Sequence, residues 1–249
     1  MQIIISPAKR MRTDPDSLPC AGLPQFLQEA EILLQRLQRM PPAELRNLWR
    51  CSDAIAARNV ERLRTMELRK RLTPAILAFE GIQYQYMAPG VFEELQFQYV
   101  QKHLRILSGF YGILRPFDGV APYRLEMQAK LAVEGHADLY GFWGDRLASV
   151  LAQETDWIVN LASREYSRAV TEHLPASVRV VNCTFADRVN GKLVEKGTIC
   201  KMARGRMVRF LVENSVEKVG EMQAFDQLGY RFSGADSAGD SLVFIREIR

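Results

Sequence analysis

The sequence predicts an α/β fold, a mixed sheet with interleaved helices in a single domain spanning residues 1–249. Two observations predict it. Short apolar runs rich in β-branched residues, at 1–5, 104–109, 157–161 and 178–185, alternate with stretches whose apolar residues recur at helical spacing. No Pro/Ser/Gly-rich linker, low-complexity tract or internal repeat divides the chain, and its length suits one large domain.

Taken in order, Met1-Gln2-Ile3-Ile4-Ile5-Ser6-Pro7 reads as a short buried strand ending at a proline. Residues 26–39 carry Phe26, Leu27, Ala30, Leu33, Leu34 and Leu37 on one helical face. Pro41 and Pro42 end that helix and open a second over 43–50, since a proline in the first turn gives up an N–H with no helical partner. Ser52 or Asp53 caps a third, reaching about residue 64. Residues 92–104 form another amphipathic helix, followed by a strand over 104–109 that delivers a glycine turn. A helix over 138–153 buries Leu139, Phe142, Trp143, Leu147 and Val150. The strand at 157–161 leads to a short helix capped near Ser163. The β-branched run 178–185 reaches a hairpin turn at Asn190-Gly191, with its return strand over 192–199. A basic helix over 202–214 and a closing strand pair, 230–233 with 242–248, complete the chain.

The composition is that of an ordinary globular protein, 47% hydrophobic and 25% charged, with a net charge of +4 from 33 basic and 29 acidic residues. So mild an excess permits nucleic-acid binding without requiring it, because clustering matters more than the sum. No stretch approaches the roughly 18 apolar residues of a membrane span. The N-terminus has no basic segment of a signal peptide, and a cytoplasmic location without membrane partners is expected. Cys20, Cys51, Cys183 and Cys200 are scattered without a CxxC, and His103, His136 and His173 without HxH or HxxxH pairing, so no metal or other cofactor is expected. P-loop, GxGxxG, GxSxG and HExxH templates are also absent.

Instead, cations recur beside glycines, prolines and rings. Ser6-Pro7-Ala8-Lys9-Arg10 follows the first strand directly, and the carboxyl ends of strands are where open α/β sheets place ligands. Between residues 107 and 124, Gly109 and Gly112 permit close backbone approach, Pro116 and Pro122 stiffen the loop, and Tyr111, Tyr123, Arg115 and Arg124 supply rings and guanidinium forks. Lys201, Arg204 and Arg209 fall within an arc of roughly 140° on a helix. Each of these also fits a bland reading, as solvated cations or rings buried beneath a loop. Glu126, Asp145, Tyr123 and Ser108 are catalytic candidates, though their spacing does not choose between orienting arginines and moving protons.

Together the motifs resemble a known family over essentially the whole chain. They are Ile5-Ser6-Pro7-Ala8-Lys9, the run 103–118, Pro122-Tyr123-Arg124-Leu125-Glu126-Met127, the run 138–145, Val159-Asn160-Leu161-Ala162-Ser163 with Glu165-Tyr166, and Ala203-Arg204-Gly205 with Met207, Arg209-Phe210 and Val212-Glu213-Asn214. In order and spacing they are similar to the peroxide stress protein YaaA family. The resemblance implies a cytoplasmic protein of the hydrogen peroxide response that limits iron-driven damage and binds DNA through a positively charged cleft. It also implies a helix-hairpin-helix element, which falls on the helices joined at Met40-Pro41-Pro42-Ala43 and carries Arg39 and Arg46. Where the family pattern leads one to expect lysines, this chain has Glu80 and Met202.

The leading expectation is a non-sequence-specific binder of double-stranded DNA. Its anion-binding residues are Ser6, Lys9, Arg10, Arg39, Arg46, Arg115, Arg124, Lys201, Arg204 and Arg209. The alternative is an enzyme acting on a small phosphorylated or nucleotide-like substrate in the same cleft, motivated by the carboxylates, amides and hydroxyls that accompany the cations.

Overall fold

The computed structural model describes residues 1–247. Among the described residues, twelve strands and ten α-helices alternate. The strands are β1 (Gln2–Ile5), β2 (Arg10–Met11), β3 (Thr73–Pro74), β4 (Phe79–Glu80), β5 (Leu104–Ser108), β6 (Gly112–Leu114), β7 (Gly119–Val120), β8 (Trp157–Asn160), β9 (Arg179–Val189), β10 (Lys192–Val194), β11 (Arg231–Phe232) and β12 (Ser241–Glu247). The helices are α1 (Leu27–Gln38), α2 (Pro42–Trp49), α3 (Asp53–Arg64), α4 (Ala75–Ala78), α5 (Ile82–Met87), α6 (Glu94–His103), α7 (Leu139–Trp143), α8 (Arg146–Glu154), α9 (Arg164–Thr171) and α10 (Gly197–Glu213).

Eight strands form the main sheet in the order β11-β12-β9-β8-β1-β5-β6, with β10 added to β9. The five inner strands, β12, β9, β8, β1 and β5, are mutually parallel. Antiparallel β6 and β11 close the two edges. Parallel strands covered on both faces need apolar side chains throughout, and Ile3, Ile4, Ile5, Ile106, Leu107, Ile158 and Val159 are accordingly fully buried. One continuous core runs from Ile3 to Phe244. The mixed α/β class therefore stands.

Strand order fixes where a cleft opens. From β1 the chain next joins the sheet at β5, on one side, whereas from β8 it proceeds to β9, on the other. The loops leaving β1 and β8 thus diverge, which makes the crevice at their carboxyl ends the topological switch point of the sheet.

Several boundaries differ from the sequence reading. The helix expected over 138–153 is two helices, because Gly144 takes φ +51°, a left-handed conformation that ends α7 and restarts the chain at α8. The hairpin at Asn190-Gly191 forms, but β10 stops at Val194 and α10 begins at Gly197, before the expected start at Met202. The closing pair forms as β11 and β12, and the Ile248 end of that expected strand lies outside the described residues. Helix α5, with the sequence Ile-Gln-Tyr-Gln-Tyr-Met, has no counterpart among the expected elements.

The helix-hairpin-helix expectation finds no exposed N–H cradle at the α1–α2 connection. Arg39 and Met40 donate to the carbonyls of Gln35 and Leu37, and Pro41 and Pro42 have no N–H to offer a phosphate.

Two contacts set the position of α10. Asp187, fully buried on β9, accepts both Arg246 Nε and a terminal Arg246 nitrogen of β12 at 2.9 Å, lies 3.1 Å from Lys196 Nζ, and accepts the Tyr230 hydroxyl at 3.3 Å. Further along, Gly205 lets α10 meet the backbone of α5, since a Cβ there would stand 2.1 Å from the Gln83 carbonyl oxygen. Helix propensity favours alanine over glycine by up to about 1 kcal/mol, but a clash with backbone outweighs it. Gly205→Ala is expected to lower unfolding free energy by about 1–3 kcal/mol in urea titrations. Gly197→Ala, which meets nothing within 4 Å, is expected not to.

Candidate functional site

Two adjoining hollows open at the switch point. The inner one, of about 310 Å³, lies between the segment 6–10 after β1, the start of α5, the first turn of α9 and the first half of α10. Its lining includes Ser6, Lys9, Arg10, Gln83, Glu165, Lys201 and Arg204. The outer one, of about 330 Å³, is walled by α2 and the segment 126–130. Lys9 borders both.

The crevice is held open by short polar ties. Ser6 Oγ accepts the backbone N–H of Ser163 at 2.8 Å and lies 3.1 Å from Ser163 Oγ, joining the loop after β1 to the residue that precedes α9. Tyr84 donates its hydroxyl to the Ser6 carbonyl at 3.1 Å, fixing the α5 wall to the same loop. Asn160 Oδ1 accepts from the Ala162 N–H, and its amide donates to Asn182 at 2.8 Å, bracing the end of β8 against β9.

Charge is organised around two carboxylates. Glu126 is almost fully buried, and its Oε1 stands 3.1 Å from Lys9 Nζ and 3.2 Å from an Arg124 terminal nitrogen. These are ion-pair distances without hydrogen-bond alignment, for Glu126 Oε1 and Arg124 Nε find no hydrogen-bond partner among the described residues. Arg124 also donates to the Trp49 carbonyl at 3.4 Å. Glu165 accepts the Gln128 N–H at 3.4 Å, and its carboxyl is pushed up from the ordinary glutamate range chiefly by burial. Glu126 raises it further, against the opposing pull of Lys9 and Lys201. Gln83 Nε2 and Arg204 Nε are likewise buried without a hydrogen-bond partner, a costly state for groups that water would otherwise satisfy. Four buried polar atoms around the cleft thus lack a hydrogen-bond partner among the described residues.

The expected site residues therefore divide. Ser6, Lys9, Arg10, Lys201 and Arg204 line the inner hollow, and Glu126 meets both Lys9 and Arg124 beside it. Glu80, which stands where a lysine was expected, also lines it and lies 3.5 Å from Arg10.

The others lie elsewhere. Arg115 follows β6, whose antiparallel return carries it back to the amino end of β5; there it shares Glu154, at 3.2 Å, with Arg105. Arg209 is five residues beyond Arg204, about 7.5 Å further along the helix axis, and pairs with Glu213 at 2.6 Å. Arg39 is exposed at the end of α1, and Arg46 is paired with Asp53. Asp145 is exposed at the start of α8. Ser108 and Tyr123 are buried and hydrogen-bonded to each other at 2.7 Å, and Ser108 Oγ also accepts the N–H groups of Phe110 and Tyr111, a tie that shapes the β5–β6 turn.

Gln83 was not foreseen, because a six-residue helix is too short to show a period. The available signal was Gly81, whose Cβ would fall 2.9 Å from the Ala8 side chain and which marks the contact between the two walls.

Among the described residues, no group of three or more His, Cys, Asp or Glu side chains is placed to hold a metal ion, and no helix is long and apolar enough to cross a membrane.

Fold and site together define an α/β protein with a cation-lined cleft at the carboxyl ends of parallel strands. A family model described as peroxide stress protein YaaA matches residues 1–236, and the chain belongs to that family. Proteins described as UPF0246 are similar over the full length. One from Lachnoclostridium phytofermentans is 48% identical over 246 residues, covering 99% of this chain and 96% of its own. Those from Desulfitobacterium hafniense and Agathobacter rectalis are 49% and 47% identical, over 99% and 100% of this chain and 98% and 100% of their own. The family name supports a role in oxidative stress.

The Arg115 cluster yields a pH test independent of the cleft. Burial raises the Asp118 carboxyl to about 6, against the backbone N–H and charge of Arg115 and the charge of Arg105. A carboxyl raised on folding stabilises the protein below its unfolded pKa, and that contribution is lost as pH rises through about 6. Asp118→Asn is therefore expected to gain on the unmodified protein by about 3 kcal/mol between pH 4 and pH 8, measured as the difference between their denaturation curves. A difference independent of pH would refute the assignment.

Proposed function

We propose that this protein acts in peroxide defence by binding the phosphate backbone of double-stranded DNA, without sequence preference, across the mouth of this cleft. The observation that carries the reading is the convergence of Lys9, Arg10, Lys201 and Arg204, drawn from two distant segments of the chain, around one hollow at the switch point.

Binding of this kind also offers a route to limiting iron-driven damage. Lysine and arginine on phosphates displace the counterions condensed there, ferrous ions among them, so peroxide meets less iron at the DNA surface. The role needs no bound metal and no catalytic step.

Fluorescence anisotropy with a labelled duplex at several ionic strengths tests the reading. Neutralising about four phosphates predicts a slope of log affinity against log salt of about −3.6. Lys201→Ala, at an exposed position, is expected to make that slope shallower by about 0.9 while leaving thermal unfolding unchanged. Absence of duplex binding even at low salt would end the proposal.

A further inference from the structure

We infer that the inner hollow is a binding site for a single nucleoside monophosphate unit. This rests on the reading of the cleft as a phosphate receptor and adds what its interior selects. At about 310 Å³ the hollow is at the lower end of small-molecule pockets and on the order of 7 Å across. A duplex, whose major groove alone is about 12 Å wide, stays at the mouth.

The lining has two parts with different uses. Lys201 and Arg204 form no ion pair among the described residues, whereas Arg10 is engaged by Glu80 and Lys9 by Glu126. Two free cations beside the start of α9 match one phosphate group, which carries about −1.5 to −2 charges at neutral pH. The second part has no use for a bare phosphate. Pro7, Ala8, Ile82 and Tyr84 give an apolar wall, and beside them Gln83 holds an uncharged amide donor, over nine-tenths buried and without a partner. An apolar surface with one neutral donor suits a flat heterocycle bearing a ring-nitrogen or carbonyl acceptor. The carboxylates limit the charge that fits. Glu165 and Glu80 line the hollow, so a triphosphate would bring anionic groups against them with no further free cation to answer.

The unit has two sources, a free mononucleotide or the 5′-phosphorylated end of a DNA strand. Calorimetry at low salt with dAMP, dATP, deoxyadenosine and inorganic phosphate tests the site itself. We expect dAMP to bind at least tenfold more tightly than the other three. Gln83→Ala is expected to erase the advantage of dAMP over inorganic phosphate, and Lys201→Ala to weaken both by about tenfold. If Gln83→Ala fails to fold, the ranking of the four ligands on the unmodified protein decides. Competition by a short single strand with a 5′-phosphate, but not by its 5′-hydroxyl form, assigns the site to strand ends; no competition by either assigns it to free nucleotide. Equal binding of phosphate and dAMP overturns the inference, and so does absence of dAMP binding by a protein that still binds duplex DNA. Binding of dAMP without duplex binding would instead overturn the polymer reading and leave this one standing.

Discussion

The arrangement depends on β1 lying between β5 and β8, with the chain leaving β1 towards one side of the sheet and β8 towards the other. Strand pairing is satisfied by backbone alone, yet it decides which loops diverge and where a gap must appear. Ser6 and Ser163 then set the width of that gap, because a single hydroxyl accepts the N–H that opens the α9 turn. Residues at its rim are thus held by the most buried part of the molecule, and their geometry is inherited from β1.

Electrostatically the cleft is balanced. A buried carboxylate facing two cations is held at a desolvation cost that only close contact offsets, which is why Glu126, Lys9 and Arg124 crowd together. Removing water from the same region raises Glu165, so acids as well as fixed cations line the hollow. A surface meant only to adhere to a polyanion has little use for such acids.

Much of this was legible in the sequence. The β1, β5 and β8 runs were evident because parallel strands require unbroken apolar residues, α1 because its apolar residues recur at helical spacing, and α2 and α3 because proline, serine and aspartate mark their starts. Lys9 could be assigned from its place directly after a strand. Arg115 could not, since whether a strand returns antiparallel depends on a turn fixed by Ser108 and on pairing that a linear pattern does not reveal. Arg209 failed for a related reason: angular position on a helix says nothing about distance along its axis. Gln83 was invisible because α5 is too short to show a period, and because α10 meets its backbone at Gly205, a contact between residues more than a hundred positions apart.

The grip of Asp187 reaches further than its own strand. Lys196 stands at the threshold of α10, and Arg246 sits near the end of the last described strand. One buried carboxylate thereby fastens the chain's tail to the root of the helix that presents Lys201 and Arg204. Loss of the Arg246 guanidinium would therefore be felt at the root of α10, although neither Lys201 nor Arg204 lies on β12.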